Sequence, residues 1–205
     1  MPVREDDYVE KTYYKIYKGK VVREWYQDEA PEGFSNVKKR ITEESKKTVW
    51  YKPYIFSGIL TDAYEKKNER INAFQFHIVL DEDSVLVMNS GSGYHKSFLL
   101  VMENFPQNEE LTFSPYNFKD KETGKKVIGM SVKDSEGTKI EHAYTKDNPN
   151  GLPQPTKNKK GEWNWTKQEE FLDDKFEAWH KEYFAAQSAG DADQDEVEAT
   201  DKVPF

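Results

Sequence analysis

Cysteine is missing from all 205 residues of the sequence. Its absence excludes a disulfide framework, a cysteine-ligated zinc or iron–sulfur site and a thiol nucleophile. A chain without disulfides fits a reducing compartment. We therefore expect a cytoplasmic protein.

Long apolar runs are missing as well. No stretch approaches the roughly 18 uninterrupted apolar residues that a membrane-spanning helix requires, and the mean hydropathy is −0.97. The first residues, Met1–Asp7, show neither the basic start nor the apolar segment of a secretory signal. The sequence predicts neither membrane insertion nor export.

The net charge of −8 comes from 30 basic and 38 acidic side chains. A negative charge first argues against a nucleic-acid ligand, because DNA-binding domains are usually basic. The acidic excess, however, lies entirely in the last 40 residues, and residues 11–165 carry 25 basic against 22 acidic side chains. The body is thus mildly basic and the terminus acidic, so the net charge by itself does not exclude a nucleic-acid ligand.

The body reads as β-rich, because short runs of aromatic and β-branched residues alternate with polar turns. Residues 28–47 are polar and irregular, which predicts a loop. Ile71–Leu80 alternates cleanly, so we assign Phe74 and Phe76 to the core. Strands are predicted at residues 13–17, 20–25, 48–64, 71–80, 84–88, 111–118, 125–132 and 138–143.

The periodicity changes after the glycine-rich connector at residues 89–93. Phe98, Leu99, Met102 and Phe105 follow at helical spacings until Pro106. Three strands, a helix and two strands is the order of an OB-fold, a frequent oligonucleotide-binding fold. We expect a mainly β protein: a five-stranded Greek-key barrel with a helix between strands 3 and 4, an extra N-terminal hairpin and one C-terminal helix.

Four segments are predicted along the chain. The OB-fold domain covers residues 1–144, and a linker rich in proline and glycine covers 145–165. A capping box formed by Thr166 and Glu169 opens a helix over 166–186. Its apolar stripe, spaced by four, three and four residues, predicts docking on the sheet. The stripe consists of Leu172, Phe176, Trp179 and Tyr183. A disordered acidic tail follows at 187–205.

Basic and aromatic residues interleave from Lys38 to Tyr54. Single strands are bound by basic grooves that follow the phosphates and by aromatic faces that stack on bases. Lys96 follows a glycine-rich turn at a helix start, where a phosphate can bind. Whether Trp50 and Tyr54 stack on a ligand or pack in the core stays open. The predicted DNA-binding residues are Lys38, Lys39, Arg40, Lys47, Trp50, Lys52, Tyr54, Lys96, Lys125 and Lys126.

The sequence contains few patterns that are typical of an active site. The four histidines are scattered, so they predict no metal site, and no nucleophile arrangement is evident. Asp81-Glu82-Asp83 is compatible with a two-metal nuclease, although an acidic triplet between two strands is more simply a solvated turn. We expect no enzymatic activity, cofactor or metal. A metal-dependent nuclease and a protein-only interaction adaptor are the alternatives.

The C-terminus ends in Asp201-Lys202-Val203-Pro204-Phe205. It resembles the tip of bacterial single-stranded-DNA-binding proteins, and the whole arrangement resembles the single-stranded-DNA-binding proteins of bacteriophages. The resemblance implies a monomer or dimer that coats and protects single-stranded DNA in replication, recombination and repair, with little sequence specificity and with RNA binding left open. It also implies that the tail, through Asp201, Val203, Pro204 and Phe205, recruits replication or recombination proteins and competes with DNA.

Overall fold

Eleven strands and two helices make up the computed structural model, which describes residues 10–42 and 46–197. The strands are β1 Thr12–Tyr17, β2 Lys20–Trp25, β3 Lys38–Ile41, β4 Thr48–Pro53, β5 Phe56–Asn68, β6 Ala73–Leu80, β7 Ser84–Asn89, β8 Glu110–Lys119, β9 Lys126–Lys133, β10 Thr156–Lys157 and β11 Trp163–Asn164. The helices are α1 Gly93–Val101, which a 3₁₀ turn at Met102–Asn104 extends, and α2 Thr166–Val197. The mainly β class is confirmed.

Nine of these strands form one mixed sheet in the order β3-β4-β2-β1-β7-β6-β5-β8-β9. Its neighbours are antiparallel except β1 and β7, which run parallel from Thr12 opposite Ser84 to Lys15 opposite Val87. The long strand β5 pairs with β8 through its first residues and with β6 through the rest. A register shift between Leu60 and Asp62 marks a bulge, which bends the strand.

The predicted succession of three strands, a helix and two strands appears as β5, β6, β7, α1, β8 and β9. The predicted N-terminal hairpin is β1–β2. The five-stranded barrel is not confirmed: within the described residues the sheet is open, with β3 and β9 at its ends. The hairpin is not an appendage either, because β1 pairs with β7 and thereby extends the sheet.

The core lies between one face of this sheet, here called the core face, and the two helices. Phe98 of α1 is fully buried, and its ring centroid lies 5.0 Å from that of Phe76 and 5.8 Å from that of Trp179 of α2. The Tyr183 hydroxyl donates to the Pro106 carbonyl at 2.7 Å, and burial raises the pKa of Tyr183 to about 12. The docking predicted from the apolar stripe is therefore confirmed.

Helix α2 begins at Thr166, as predicted, where the backbone N–H donates to Asn164 Oδ1 at 2.9 Å. It continues past the predicted end at residue 186 to Val197, into the segment predicted to be disordered. In the described part of the chain, no helix is long and apolar enough to cross a membrane.

Three local predictions differ from the structure. Phe74 is 54% exposed whereas Phe76 is 1% exposed, because the helices cover Phe76 while Phe74 lies next to the exposed turn at residues 69–72. The predicted loop at 28–47 contains strand β3, which forms by pairing with β4. The strand predicted at 138–143 is reduced to one isolated bridge between Lys133 and Lys139.

Candidate nucleic-acid interface

The face of the sheet opposite the core face is rich in tyrosine. Strand β1 alternates, so that Tyr14 and Ile16 pack on the core while Tyr13, Lys15 and Tyr17 lie on the other side. Cross-strand pairing carries this second surface from β3 to β5. We call it the tyrosine face; it consists of Tyr13, Tyr17, Tyr26, Tyr51 and Tyr64 with Lys15, Glu24, Lys38, Arg40 and His77.

Glu24 organises the centre of the tyrosine face. Its carboxylate accepts hydrogen bonds from Arg40 Nη2 at 2.6 Å and from the Tyr26 hydroxyl at 2.7 Å, and Lys15 Nζ lies 3.4 Å away. The Glu24 side chain is only 4% exposed. Burial by itself raises the pKa of Glu24, but these hydrogen bonds and cations outweigh it and lower the pKa. Glu24 therefore stays ionised and fixes the heads of Lys15 and Arg40.

The rings of this face are held by aromatic and cationic neighbours. The centroids of Tyr17 and Tyr51 are 5.1 Å apart, and the Arg40 guanidinium lies 4.6 Å from the Tyr17 centroid. Tyr64 stacks on His77 at 4.9 Å. Tyr13 and Tyr26 are more than half exposed. A surface with two exposed rings and fixed cations is suited to stacking on planar groups that carry negative charge nearby.

A cleft of about 950 Å³ opens beside the tyrosine face. We call it the basic cleft. Lys15, Lys46, Lys47 and Arg70 supply positive charge, and among the described residues that line the cleft Asp28 is the one carboxylate. Such an excess of positive charge in a concave site attracts anions. The lining residues are Lys15, Tyr26, Gln27, Asp28, Lys46, Lys47, Thr48, Asn68, Arg70, Ile71 and Gln75.

A second opening of about 320 Å³ continues from the basic cleft, with Lys15 and Gln75 lining both. We call it the strand gap. It lies where β1 and β7 separate beyond their last pair, Lys15 and Val87, and it reaches Ser92 and Tyr94 at the start of α1. The two openings together form an extended path rather than a closed pocket.

The residues of the predicted basic cluster lie on different surfaces of the sheet. Lys38 and Arg40 lie on the tyrosine face, and Lys47 lines the basic cleft. Lys39 lies on the opposite side, with its Nζ 5.5 Å from the Trp50 ring centroid. The physical reason is the alternation of strand side chains, which sends consecutive residues to opposite faces.

Trp50, Lys52 and Tyr54 also lie toward the core side of the sheet. Lys52 Nζ lies 5.5 Å from the Tyr54 ring centroid, and Tyr54 packs edge-on against Tyr14 at 5.4 Å. The Trp50 side chain is partly buried, with its Nε1 inaccessible to solvent. Tyr54 and Trp50 therefore contribute to packing, and neither is on the tyrosine face.

The remaining predicted residues are dispersed. Lys96 lines neither opening; its Nζ contacts Gln168 Oε1 at 2.5 Å and lies 4.3 Å from the Trp165 ring centroid. Lys125 and Lys126 are exposed at the β8–β9 hairpin. The tail residues Asp201, Val203, Pro204 and Phe205 lie outside the described residues.

The acidic triplet at residues 81–83 forms the turn between β6 and β7. Asp81 Oδ1 accepts the Ile59 N–H at 2.9 Å, and Asp83 Oδ1 accepts the Ser84 hydroxyl at 2.8 Å. Across residues 10–42 and 46–197, no group of three or more histidine, aspartate or glutamate side chains is arranged to hold a metal ion. The triplet thus has structural contacts that tie this turn to β5.

The predicted DNA-binding residues do not include Tyr13, Lys15, Tyr26, Tyr64 or Arg70. The alternation of Tyr13, Lys15 and Tyr17 could have indicated a surface that interleaves rings with cations. Lys46 lies inside the basic run from Lys38 to Tyr54, whereas Arg70 had no comparable signal, because tertiary folding brings it to the cleft from a distant turn.

Comparison of the chain with protein-family models, with curated proteins and with solved structures found no match. The functional inference is therefore drawn from the geometry of the tyrosine face and the basic cleft.

Proposed function

We propose that this protein binds single-stranded DNA without sequence specificity, along the basic cleft and the tyrosine face. The observation that carries the proposal is the cleft itself, in which Lys15, Lys46, Lys47 and Arg70 surround a concave surface next to the exposed Tyr26 ring. The phosphates of a single strand pair with the cations, and its unpaired bases stack on the rings. Every base has a π face, so this mode of binding tolerates any sequence.

The chain order supports interpreting β5–β9 as an OB-fold whose third strand pairs with the N-terminal hairpin. OB-folds bind oligonucleotides on the face of strands 2 and 3, between the loop joining strands 1 and 2 and the loop joining strands 4 and 5. In this chain the first of those loops holds Arg70, which lines the basic cleft. The second is the turn before Lys125 and Lys126.

The strand gap extends the path of the basic cleft toward the β8–β9 hairpin. A Cβ added at Gly19, in the β1–β2 turn, would lie 2.5 Å from Asn117 N, so this turn abuts β8 closely. Only glycine permits that approach at this position, where φ is +72°. The path therefore runs from Arg70 past Lys15 and Tyr94 toward Lys125 and Lys126.

The acidic terminus extends the proposal to regulation and partners. Six acidic side chains against Lys202 occupy residues 189–205, and carboxylates in such a segment compete with phosphates for the same cations. Removing residues 189–205 is expected to tighten DNA binding, most visibly at low salt. Phe205→Ala is expected to leave DNA binding intact and to abolish recruitment of replication or recombination proteins.

A titration of the full chain with labelled oligo-dT, duplex DNA and RNA over a salt series tests the proposal. We expect binding to oligo-dT with a logarithmic salt slope of about −0.7 per phosphate contact. The double variant Lys47→Ala/Arg70→Ala should weaken binding about tenfold or more at low salt and make the slope less negative by about 1.4.

Lys133→Ala/Lys139→Ala is the matched control, because it removes the same charge from exposed positions outside the cleft. If the wild-type protein fails to bind oligo-dT, or if the control pair weakens binding as much as the cleft pair, the proposal is wrong.

A further inference from the structure

A second aromatic and basic surface lies on the β10–β11 hairpin, and its residues are not among those that line the basic cleft or the strand gap. Trp163 in β11 and Trp165, just before α2, are 57% and 41% exposed, and their ring centroids lie 6.2 Å apart. Each ring has a lysine over it: Lys157 Nζ lies 4.7 Å from the Trp163 centroid and Lys96 Nζ lies 4.3 Å from the Trp165 centroid. We call these four residues the tryptophan patch.

Hydrogen bonds hold the turn of the β10–β11 hairpin. Asn158 Oδ1 accepts the N–H groups of Lys160 and Glu162 at 2.9 and 3.0 Å. Its Nδ2 donates to Glu162 Oε2 at 2.8 Å. Lys157 pairs directly with Trp163 across the two strands. The backbone that carries Trp163 is therefore positioned by the turn and by strand pairing.

Lys96 ties the patch to the body of the protein. It extends from α1, and Gln168 of α2 accepts a hydrogen bond from its Nζ at 2.5 Å. The side chain of Gln168 donates in turn to the Pro153 carbonyl at 3.1 Å. Burial lowers the pKa of Lys96, and the nearby charge of Glu169 acts in the opposite direction. Lys96 thus sets the position of Trp165 relative to both helices.

Charge decides which ligand suits the patch. Lys157, Lys159 and Lys160 lie on or next to the hairpin, and Lys96 adds a fourth cation; Glu162 in the turn and Glu169, near Lys96, are the neighbouring carboxylates. Two exposed indoles among four lysines match the alternation of bases and phosphates in a single strand. An uncharged apolar partner would gain nothing from these cations.

We infer that the tryptophan patch is a second contact surface for single-stranded nucleic acid, engaged by strands long enough to extend beyond the basic cleft. The inference rests on the proposed function for the identity of the ligand, but it concerns separate residues. It explains why two indoles remain at the surface, where burial of each would otherwise remove a large apolar area from water.

Oligo-dT of two lengths, about 6 and about 30 nucleotides, separates the two surfaces. For the full chain, Trp163→Ala/Trp165→Ala should weaken binding of the long strand about tenfold to a hundredfold and leave the short strand unaffected. Trp163→Phe/Trp165→Phe keeps two stacking rings and should retain most of the affinity. Ile55→Ala, which removes another exposed apolar side chain, is the control and should change neither.

Unchanged affinity of the alanine pair for the long strand would overturn the inference while leaving the proposed function intact. Failure of the wild-type protein to bind either strand would instead contradict the proposed function. If the alanine pair binds the long strand normally but changes the sedimentation of the protein, the patch is an interface between copies of this chain, and the inference is wrong.

Discussion

The two faces of the large sheet both carry many aromatic rings, yet the residues around those rings differ. On the core face, Phe76 and Phe113 are buried against Phe98 of α1 and other apolar side chains. On the tyrosine face, Lys15 and Arg40 lie between the rings, and Glu24 fixes both cations. A phenol can bury its ring edge and still satisfy its hydroxyl at the surface, whereas phenylalanine cannot. The number of aromatic rings on a face therefore does not indicate a binding surface. The polar and charged side chains around each ring do.

The largest contrast between the faces is in stability. Phe98→Ala should lower the free energy of unfolding by about 3–5 kcal/mol, because the cavity it leaves is fully enclosed. Tyr26→Ala, on the exposed side, should cost less than about 1 kcal/mol. Urea denaturation measures both. Equal costs for the two substitutions would show that the tyrosine face is part of the core.

Buried histidines on both sides of the sheet give the stability a pH dependence. Burial lowers the pKa of His95 from 6.5 to about 4, and its Nδ1 accepts the Gly91 N–H at 3.1 Å. The unfolded chain therefore binds a proton that the folded chain does not. Stability is fully present above about pH 6.5 and falls as the pH drops toward 4, by up to about 3 kcal/mol.

Burial also lowers the pKa of His77, so this residue adds a loss of the same sign. His95→Gln keeps an acceptor and cannot titrate, so its unfolding free energy should fall less between pH 7 and pH 4.5 than that of the wild-type protein. Denaturation curves at the two pH values provide the comparison. An equal fall in both proteins would exclude His95 as the main source of acid sensitivity.

For DNA binding the order of the two faces should be reversed, so that substitutions on the tyrosine face have the larger effect. Tyr26→Ala should weaken oligo-dT binding by about 1–3 kcal/mol, because a stacked base loses its ring. Tyr26→Phe keeps the ring but removes the hydroxyl that contacts Lys15 and Glu24, so it should retain most of the affinity. Fluorescence anisotropy of labelled oligo-dT measures both variants. A phenylalanine variant as weak as the alanine variant would mean that the ring does not stack.

The smallest predicted difference compares two lysines of equal charge on opposite sides of the sheet. Lys15→Ala, on the tyrosine face, should weaken oligo-dT binding about threefold to tenfold at low salt. Lys52→Ala, on the side that carries Tyr54, should change it by less than about twofold. The same anisotropy titration decides between them. Equal losses would mean that the strand contacts both faces.

Features set by local periodicity were predictable from the sequence. The run of aromatic and β-branched residues at Tyr13–Tyr17 predicted the first strand, and the spacing of Leu172 and Trp179 predicted the docked helix. The parallel pairing of β1 with β7 was not predictable, since it joins segments about seventy residues apart. Strand β3 was missed because Lys38, Lys39 and Arg40 have little strand preference of their own and are held by backbone pairing with β4.

The candidate site was only partly predictable for the same reason. The run from Lys38 to Tyr54 marks a region that combines cations and rings, but sequence proximity does not specify a face. Alternation divides this run between the two sides of the sheet, and the basic cleft is completed by Arg70 from a distant turn. Predicting that cleft requires the tertiary structure.

Photochemical cross-linking tests the central claim most directly. A short oligo-dT containing 5-iododeoxyuridine is irradiated with the full-length protein, and the modified peptides are identified by mass spectrometry. We expect cross-links at Tyr13 and Tyr26, the two most exposed rings of the tyrosine face. Cross-links confined to Trp50 or Tyr54, on the opposite side of the sheet, or the absence of any cross-link, would contradict the account.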